Sequence, residues 1–146
     1  MLFSTSPVHS NLTRALFSST SAIDAHTKRV HVISQNLANA HTRPHHKDDL
    51  PYCRQVVSFK SAYDKYLKTN LVQVHRVSKD KTPFQKIYDP HDPAANDQGI
   101  VLEANVNPLL EMTDLMESQF SHDANIKAFE RVLSMLQNTL NLLKPS

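Results

Sequence analysis

Length, charge and glycine content narrow the functional class of this chain. It has 146 residues, which suits one domain of ordinary size. Sixteen basic residues against fourteen acidic ones leave a net charge of +2, too small to indicate binding to nucleic acid or to a membrane surface. Gly99 is the only glycine, so phosphate-binding loops and dinucleotide-binding turns, which need several glycines, are excluded.

The first residues and the apolar stretches bear on targeting. The start of the chain lacks a basic segment followed by a long apolar one, so we expect no cleaved secretory signal. The first 23 residues carry Arg14, many Ser and Thr and no acid, which makes an organellar presequence a weaker alternative to a structural helix. No apolar stretch approaches the roughly 18 residues that span a bilayer.

Residues 12–40 carry the first helical pattern, which no proline or glycine interrupts. Apolar side chains recur in steps of three and four residues, among them Leu16, Ile23, Val30, Ile33 and Leu37. This 3.5-residue repeat is typical of a helix that packs lengthwise against others. His26 lies on the same seam, as a polar position that sets register or as a pH-sensitive switch. Ser10 or Asn11 can cap the start, and Pro44 prevents continuation.

Residues 108–143 predict a second, longer helix. Asn107 is a favourable N-cap, and Pro108 suits the first helical position. Its apolar seam includes Met112, Leu115, Ile126, Phe129, Leu133, Leu136 and Leu140. His122 interrupts that seam as His26 does in the first helix. Rods of about 45 to 50 Å cannot close a core alone, so we expect a coiled-coil-like pair that also packs on other chains.

The middle of the chain changes character. Residues 52–59, 71–77 and 100–104 are strand-like, and residues 88–93 form a proline-containing rigid loop. We therefore predict a mainly α fold with a small β insert. Residues 1–42 and 107–146 would form a discontinuous helical domain, and residues 43–106 a β-rich insert with loops.

Nine histidines raise the question of a metal site. The best cluster lies in residues 41–49 and comprises His41, His45, His46, Asp48 and Asp49. Zinc needs three or four such ligands at one point, and this spacing does not force them together, so a solvated loop is the favoured interpretation. Cys53 is expected to be a packing residue within a strand. We expect neither a catalytic residue, nor a metal, nor a cofactor.

Residues 29–40, R-V-H-V-I-S-Q-N-L-A-N-A, carry a motif. They resemble the N-terminal signature of the flagellar rod and hook family, a helix that ends in an Asn- and Ala-containing run. The Asn and Ala residues of this motif include Asn36, Ala38 and Asn39. This pattern is more specific than amphipathicity alone.

Three further segments resemble proximal-rod members of that family. They are residues 55–59 (Q-V-V-S-F), residues 87–90 (I-Y-D-P) followed by Gly99, and a C-terminal set containing Asn105, Asn107, Glu111, Met112 and Asn125. The chain departs from the family pattern where Pro51 precedes Tyr52, and where Phe120 and His122 replace an Arg and a Tyr. These departures affect local contacts and leave the order of the segments unchanged.

The resemblance implies a structural function. Proteins of this family are exported unfolded by the flagellar type III apparatus, without a cleaved signal. They polymerise with copies of themselves and with other rod proteins into the periplasmic rod, between the membrane ring and the hook, and their terminal helices form its inner domain. Two alternatives remain open: a small helical metal- or ligand-binding protein that uses residues 41–49, and a helical adaptor that binds a partner helix.

Overall fold

The computed structural model describes residues 11–47 and 49–142. The elements along this part of the chain are α1 (Asn11–Ala38), β1 (Gln55–Asp64), β2 (Thr69–Lys79), β3 (Gln85–Tyr88), β4 (Ile100–Glu103) and α2 (Pro108–Leu142). The prediction of a mainly helical chain with a small β insert is confirmed. Ser10 and Leu143, predicted at the outer helix ends, lie outside the described residues. In the described ranges, neither helix is long and apolar enough to cross a membrane.

The inner ends of both helices follow from local hydrogen bonding. At the end of α1 the Asn39 amide donates to the carbonyl oxygens of Gln35 and Asn36, at 3.2 and 3.1 Å, and the helix ends there two residues earlier than predicted. At the start of α2 the Asn107 side-chain oxygen accepts from the amide of Leu109 at 3.0 Å, which confirms the predicted N-cap. Asn11 is the first residue of α1 rather than its cap.

β1 and β2 form a hairpin whose turn is ordered by Asp64. Its carboxylate accepts from the amides of Tyr66 and Leu67 at 2.8 and 2.9 Å, and Lys68 has a left-handed φ of 50°. The four-residue connection makes the paired strands antiparallel. β1 begins three residues later than predicted because the Arg54 amide donates to the Asn105 side chain rather than to a neighbouring strand. Cys53 therefore precedes the strand that was expected to contain it.

β3 and β4 form a separate antiparallel pair. Their register places Ile87 opposite Val101 and Gln85 opposite Glu103. β4 was predicted, whereas β3 was missed. Its four residues show no readable alternation, and it is a strand only because of its pairing with a segment twelve residues further along the chain.

The loop between β3 and β4 closes at Gly99. The Asp89 amide donates to the Gly99 carbonyl oxygen at 2.8 Å, the Gly99 amide donates to the Asn96 carbonyl oxygen at 2.9 Å, and Gly99 has a φ of +73°. A β-carbon there would lie 2.9 Å from the Tyr88 ring and 3.1 Å from the Pro90 β-carbon.

We expect Gly99→Ala to lower the free energy of unfolding by about 1 to 2 kcal/mol, because it adds a left-handed non-glycine residue and a close contact. Urea unfolding of the full chain at fixed protein concentration measures this change. Gln98→Ala, at the exposed neighbouring position, is the control and should change stability by less than about 0.5 kcal/mol. Equal stabilities of the two variants would contradict the account of this turn.

The chain divides into two compact units. One holds residues 11–28, 59–75 and 118–142, and in it the rings of His26 and Phe59 meet edge to face at 5.6 Å. The other holds residues 29–47, 49–58 and 76–117, and its buried cluster of Ala40, Ala104 and Val106 packs against Tyr52. The predicted division into a discontinuous helical domain (residues 1–42 and 107–146) and a β-rich insert (residues 43–106) stays a prediction.

Candidate functional site

Asn36 is the centre of a polar network in the second unit. Its side chain is 1% exposed and lies near the end of α1. The side-chain nitrogen of Asn36 donates to the backbone carbonyl oxygen of Gln55 at 2.8 Å and to Glu111 Oε2 at 2.9 Å. The side-chain oxygen of Asn36 accepts from the backbone N–H of Gln55 and from the Tyr52 hydroxyl, each at 2.9 Å. Both donors and both acceptor positions of this asparagine are therefore used.

Glu111 joins the same network from the first turn of α2. Its side chain is fully buried, with no exposed area, which an ionised carboxylate tolerates only with partners. Arg54 Nε donates to Glu111 Oε1 at 2.6 Å, while Asn36 holds the other oxygen. Burial disfavours the charge on Arg54, but the hydrogen bond and charge of Glu111, together with Asp80, outweigh this effect and raise the pKa of the guanidinium.

Arg54 also connects the network to two further carboxylates. Its terminal nitrogens donate to Asp80 at 3.2 Å and to Asp114 at 3.3 Å. Its own backbone amide donates to Asn105 Oδ1 at 2.7 Å, and the Asn105 amide group donates to the Thr82 carbonyl oxygen at 2.9 Å. We call the set formed by Asn36, Tyr52, Arg54, Gln55, Asp80, Asn105, Glu111 and Asp114 the buried polar network.

Asp80 gives the network a pH dependence. The Thr82 amide donates to its carboxylate at 3.0 Å and, with Arg54, lowers the pKa of Asp80 below its usual value against the opposing effect of burial. A lowered pKa in the folded state contributes stability above the pKa of the unfolded chain, and that stability is lost as pH falls through the folded pKa.

We therefore expect the wild type to be more stable than Asp80→Asn at neutral pH, with a difference that shrinks as pH falls below about 4. Below the folded pKa the aspartic acid is protonated and resembles the asparagine, so the two chains should then unfold alike. Urea midpoints measured across the acid range test this. A difference that stays constant with pH would show that the charge of Asp80 has no part in stability.

A second cluster orders the segment after α1. Arg43 donates to Asp89 and to Asp92 at 3.1 Å each, and its Nε lies 3.7 Å from Glu103. The hydrogen bonds that Arg43 donates to these two carboxylates, first Asp92 and then Asp89, raise the pKa of Arg43. His41 Nδ1 lies 3.7 Å from the same Glu103. The cluster thereby joins the residues that follow α1 to the loop between β3 and β4.

In the described part of residues 41–49, the histidine and aspartate side chains do not meet at one point. His45 and His46 are exposed, and Asp48 lies outside the described residues. Across residues 11–47 and 49–142, no group of three or more His, Cys, Asp or Glu side chains has an arrangement that could hold a metal ion. Cys53 is half-buried, and its thiol donates to the Asp80 carbonyl oxygen at 3.3 Å, the environment of a packing residue.

The predicted seam residues differ in how far the folded chain covers them. Ile33 is buried. The half-buried positions are Leu16, Ile23, Val30, Leu37, Leu115, Ile126, Phe129 and Leu136. Met112, Leu133 and Leu140 are exposed. Their predicted role as an assembly interface stays a prediction.

The motif residues selected by resemblance separate into two groups. Asn36, Asn105 and Asn107 make the network and cap contacts described above. Ala38 is exposed. The Asn39 side chain donates to the Gln35 carbonyl oxygen in the last turn of α1, and the Asn125 side chain donates to the Ser121 carbonyl oxygen within α2. Sequence reasoning missed Arg54 and did not select Glu111 as a site residue. The one available sequence signal for this site was Glu111 itself, an acidic residue within the apolar pattern of α2.

The fold defines a mainly helical protein with a small β insert. Two long helices join small strand pairs, and the buried polar groups pair with one another. The family model described as the C-terminal part of flagellar basal body rod FlgEFG proteins matches residues 97–142. The chain is also similar to curated flagellar rod proteins along most of its length.

Three relatives illustrate this similarity, each a flagellar basal-body rod protein FlgC. The protein of Agrobacterium fabrum is 34% identical over 126 residues, which cover 86% of this chain and 91% of the relative. The protein of Bacillus subtilis is 35% identical, with 86% and 94% covered. The protein of Salmonella typhimurium is 36% identical, with 84% and 90% covered. The chain belongs to the FlgC family of flagellar basal-body rod proteins.

This membership confirms the resemblance carried by residues 29–40 and by the later segments. It also confirms the prediction of a structural rod protein of the bacterial flagellum. The buried polar network is consistent with that function, because its side chains fix the geometry of helix ends and strands.

Proposed function

We propose that this chain is a subunit of the proximal part of the flagellar rod and polymerises in the periplasm with copies of itself and with other rod proteins. The family membership supports this proposal, since the relatives are named as basal-body rod proteins. The observation that carries it is a series of apolar side chains on α2 that the folded chain leaves in water.

That series begins at the first turn of α2. Leu109, Met112 and Met116 are 73%, 53% and 57% exposed, and their spacing of three and four residues places them on one helix face. Fully burying such a side chain contributes roughly 1.5 to 3 kcal/mol, so an exposed row of them favours association. Leu133, Met135, Leu140 and Leu142 are exposed further along the same helix.

In the assembled rod, residues 1–42 and 107–146 would form the inner helical domain, with the seams of α1 and α2 packed in a coiled-coil-like manner. Many parallel helices in close contact resist twisting, because close-packed interiors deform little. The function is then mechanical, the transmission of torque, and the chain is no enzyme. The insert of residues 43–106 would contact neighbouring subunits.

Delivery to the rod follows the route implied by the family. We propose that the chain passes unfolded through the flagellar type III export apparatus without a cleaved signal. It then folds as it is added between the membrane ring and the growing rod. Coupling of folding to assembly would offset the ordering cost of two long helices whose apolar faces are incompletely covered.

A pair of substitutions on the exposed face tests the proposal. Met112→Gln with Met116→Gln should leave the free energy of unfolding of the isolated chain within about 0.5 kcal/mol per site, because both side chains are already exposed. The same variant should fail to restore motility in a strain that lacks the gene. Met112→Leu with Met116→Leu keeps the face apolar and should restore motility. Full motility of the glutamine variant would contradict a packed role for this face.

A further inference from the structure

The buried polar network can select one axial position of α2 relative to α1, which the apolar seams cannot. A seam that repeats every 3.5 residues can slide by one turn and still place one apolar side chain against another. The predicted packing of Val30, Ile33 and Leu37 on α2 would therefore not by itself select one axial position of α2. A buried polar side chain does select one, because only one neighbour satisfies it.

Asn36 and Glu111 provide one such polar position on each helix. They meet at 2.9 Å, and both side chains are buried. A shift of one turn moves α2 by about 5.4 Å, which no hydrogen bond survives. It would bring Leu115 or Asn107, positions that share a face with Glu111, toward Asn36. The carboxylate of Glu111 would then be buried away from its partners.

The start of β1 holds the contact between Asn36 and Glu111 in place. Gln55, the first residue of β1, exchanges two backbone hydrogen bonds with the Asn36 side chain. The adjacent Arg54 donates to the other oxygen of Glu111 at 2.6 Å. The start of β1 thus contacts both helices, and a slipped helix pair would break the contacts on both sides of it.

We propose that Asn36, Arg54 and Glu111 are specificity-determining residues that set the axial register between the end of α1 and the start of α2. They thereby fix which residues of α2 the subunit presents for assembly. The inference about register stands on the contacts alone. Its consequence for assembly rests on the proposed rod function.

The test separates register from stability. Glu111→Met removes the buried charge and leaves Arg54 paired with Asp80 and Asp114. Arg54→Met with Glu111→Met replaces the ion pair by two apolar side chains, an exchange that is often neutral for stability. We expect both variants to fold, with the slipped register rising from below about 1% to about 10% or more of the population. A second set of amide resonances for residues 29–40 and 108–117 would report it.

Arg54→Met with Glu111→Gln is the matched rescue variant. The side-chain oxygen of the glutamine at position 111 can still accept from Asn36, so we expect a single set of resonances and restored motility. The double methionine variant should not restore motility. One resonance set in every variant would overturn the proposal. So would a failure of both methionine variants to fold, since the ion pair would then be required for folding itself and not only for the register. Failure of the wild-type gene to restore motility would count against the rod function and not against the register.

Discussion

Replacing Asn36 by alanine should lower the free energy of unfolding by about 3 kcal/mol. The substitution removes a buried side chain that makes four hydrogen bonds. The backbone amide and carbonyl of Gln55, the hydroxyl of Tyr52 and one oxygen of Glu111 would each lose a partner. An unsatisfied buried polar group costs roughly 1 to 3 kcal/mol, and entry of water into the space left by the side chain would offset part of the sum.

Urea unfolding of the full chain, followed by circular dichroism, measures this loss. Protein concentration must be held fixed, because assembly links stability to concentration. Asn39→Ala is a matched control from the same motif, since the Asn39 side chain makes only a local hydrogen bond, to the Gln35 carbonyl oxygen in the last turn of α1 at 2.8 Å. It should change stability by less than about 0.5 kcal/mol. Equal effects at the two positions would show that Asn36 is an ordinary helix residue.

Replacing Arg54 by alanine should also cost about 3 kcal/mol, because it leaves the carboxylate of Glu111 buried without its cationic partner. Removal of one partner of a buried ion pair typically costs 3 to 5 kcal/mol, and we take the lower end since the Arg54 side chain is 24% exposed. The same substitution also removes the cation that faces Asp80 and Asp114.

Arg29→Ala is the control for this prediction. Arg29 lies 3.9 Å from Glu117, whose side chain is 67% exposed, so the pair is a surface ion pair and contributes less than about 1 kcal/mol. The comparison therefore separates a buried from an exposed arginine within the same compact unit. A loss below about 1 kcal/mol for Arg54→Ala would mean that water reaches Glu111 once the arginine is gone.

The helices were readable from sequence because their signals are local. The uninterrupted seam of residues 12–40 and the Asn107-Pro108 start required no knowledge of distant residues, and the structure places both helices within two residues of the predicted bounds. The strands depended on pairing. β3 was missed because it is defined by its pairing with β4. The predicted start of β1 was wrong because the Arg54 amide donates to the Asn105 side chain, which is distant in sequence.

The side-chain contacts of the buried polar network could not be predicted either, because they join residues that are distant in the sequence. Asn36 and Asn105 were selected through the resemblance to the rod family, but nothing local indicated that Asn36 contacts Glu111, 75 residues further along. Arg54 had no sequence signal, since a single arginine before a strand is common on protein surfaces. Its importance comes from the burial of Glu111, which only the folded chain shows.

In the proposed rod, the apolar faces of the helices are completed by other subunits. The concentration dependence of helicity in the purified full chain tests this most directly. We expect the helical circular-dichroism signal to rise over about a hundredfold increase in concentration, in step with the appearance of ordered polymers. A fully helical monomer whose signal does not change over that range, and which binds zinc stoichiometrically, would contradict the proposed completion of these faces by other subunits.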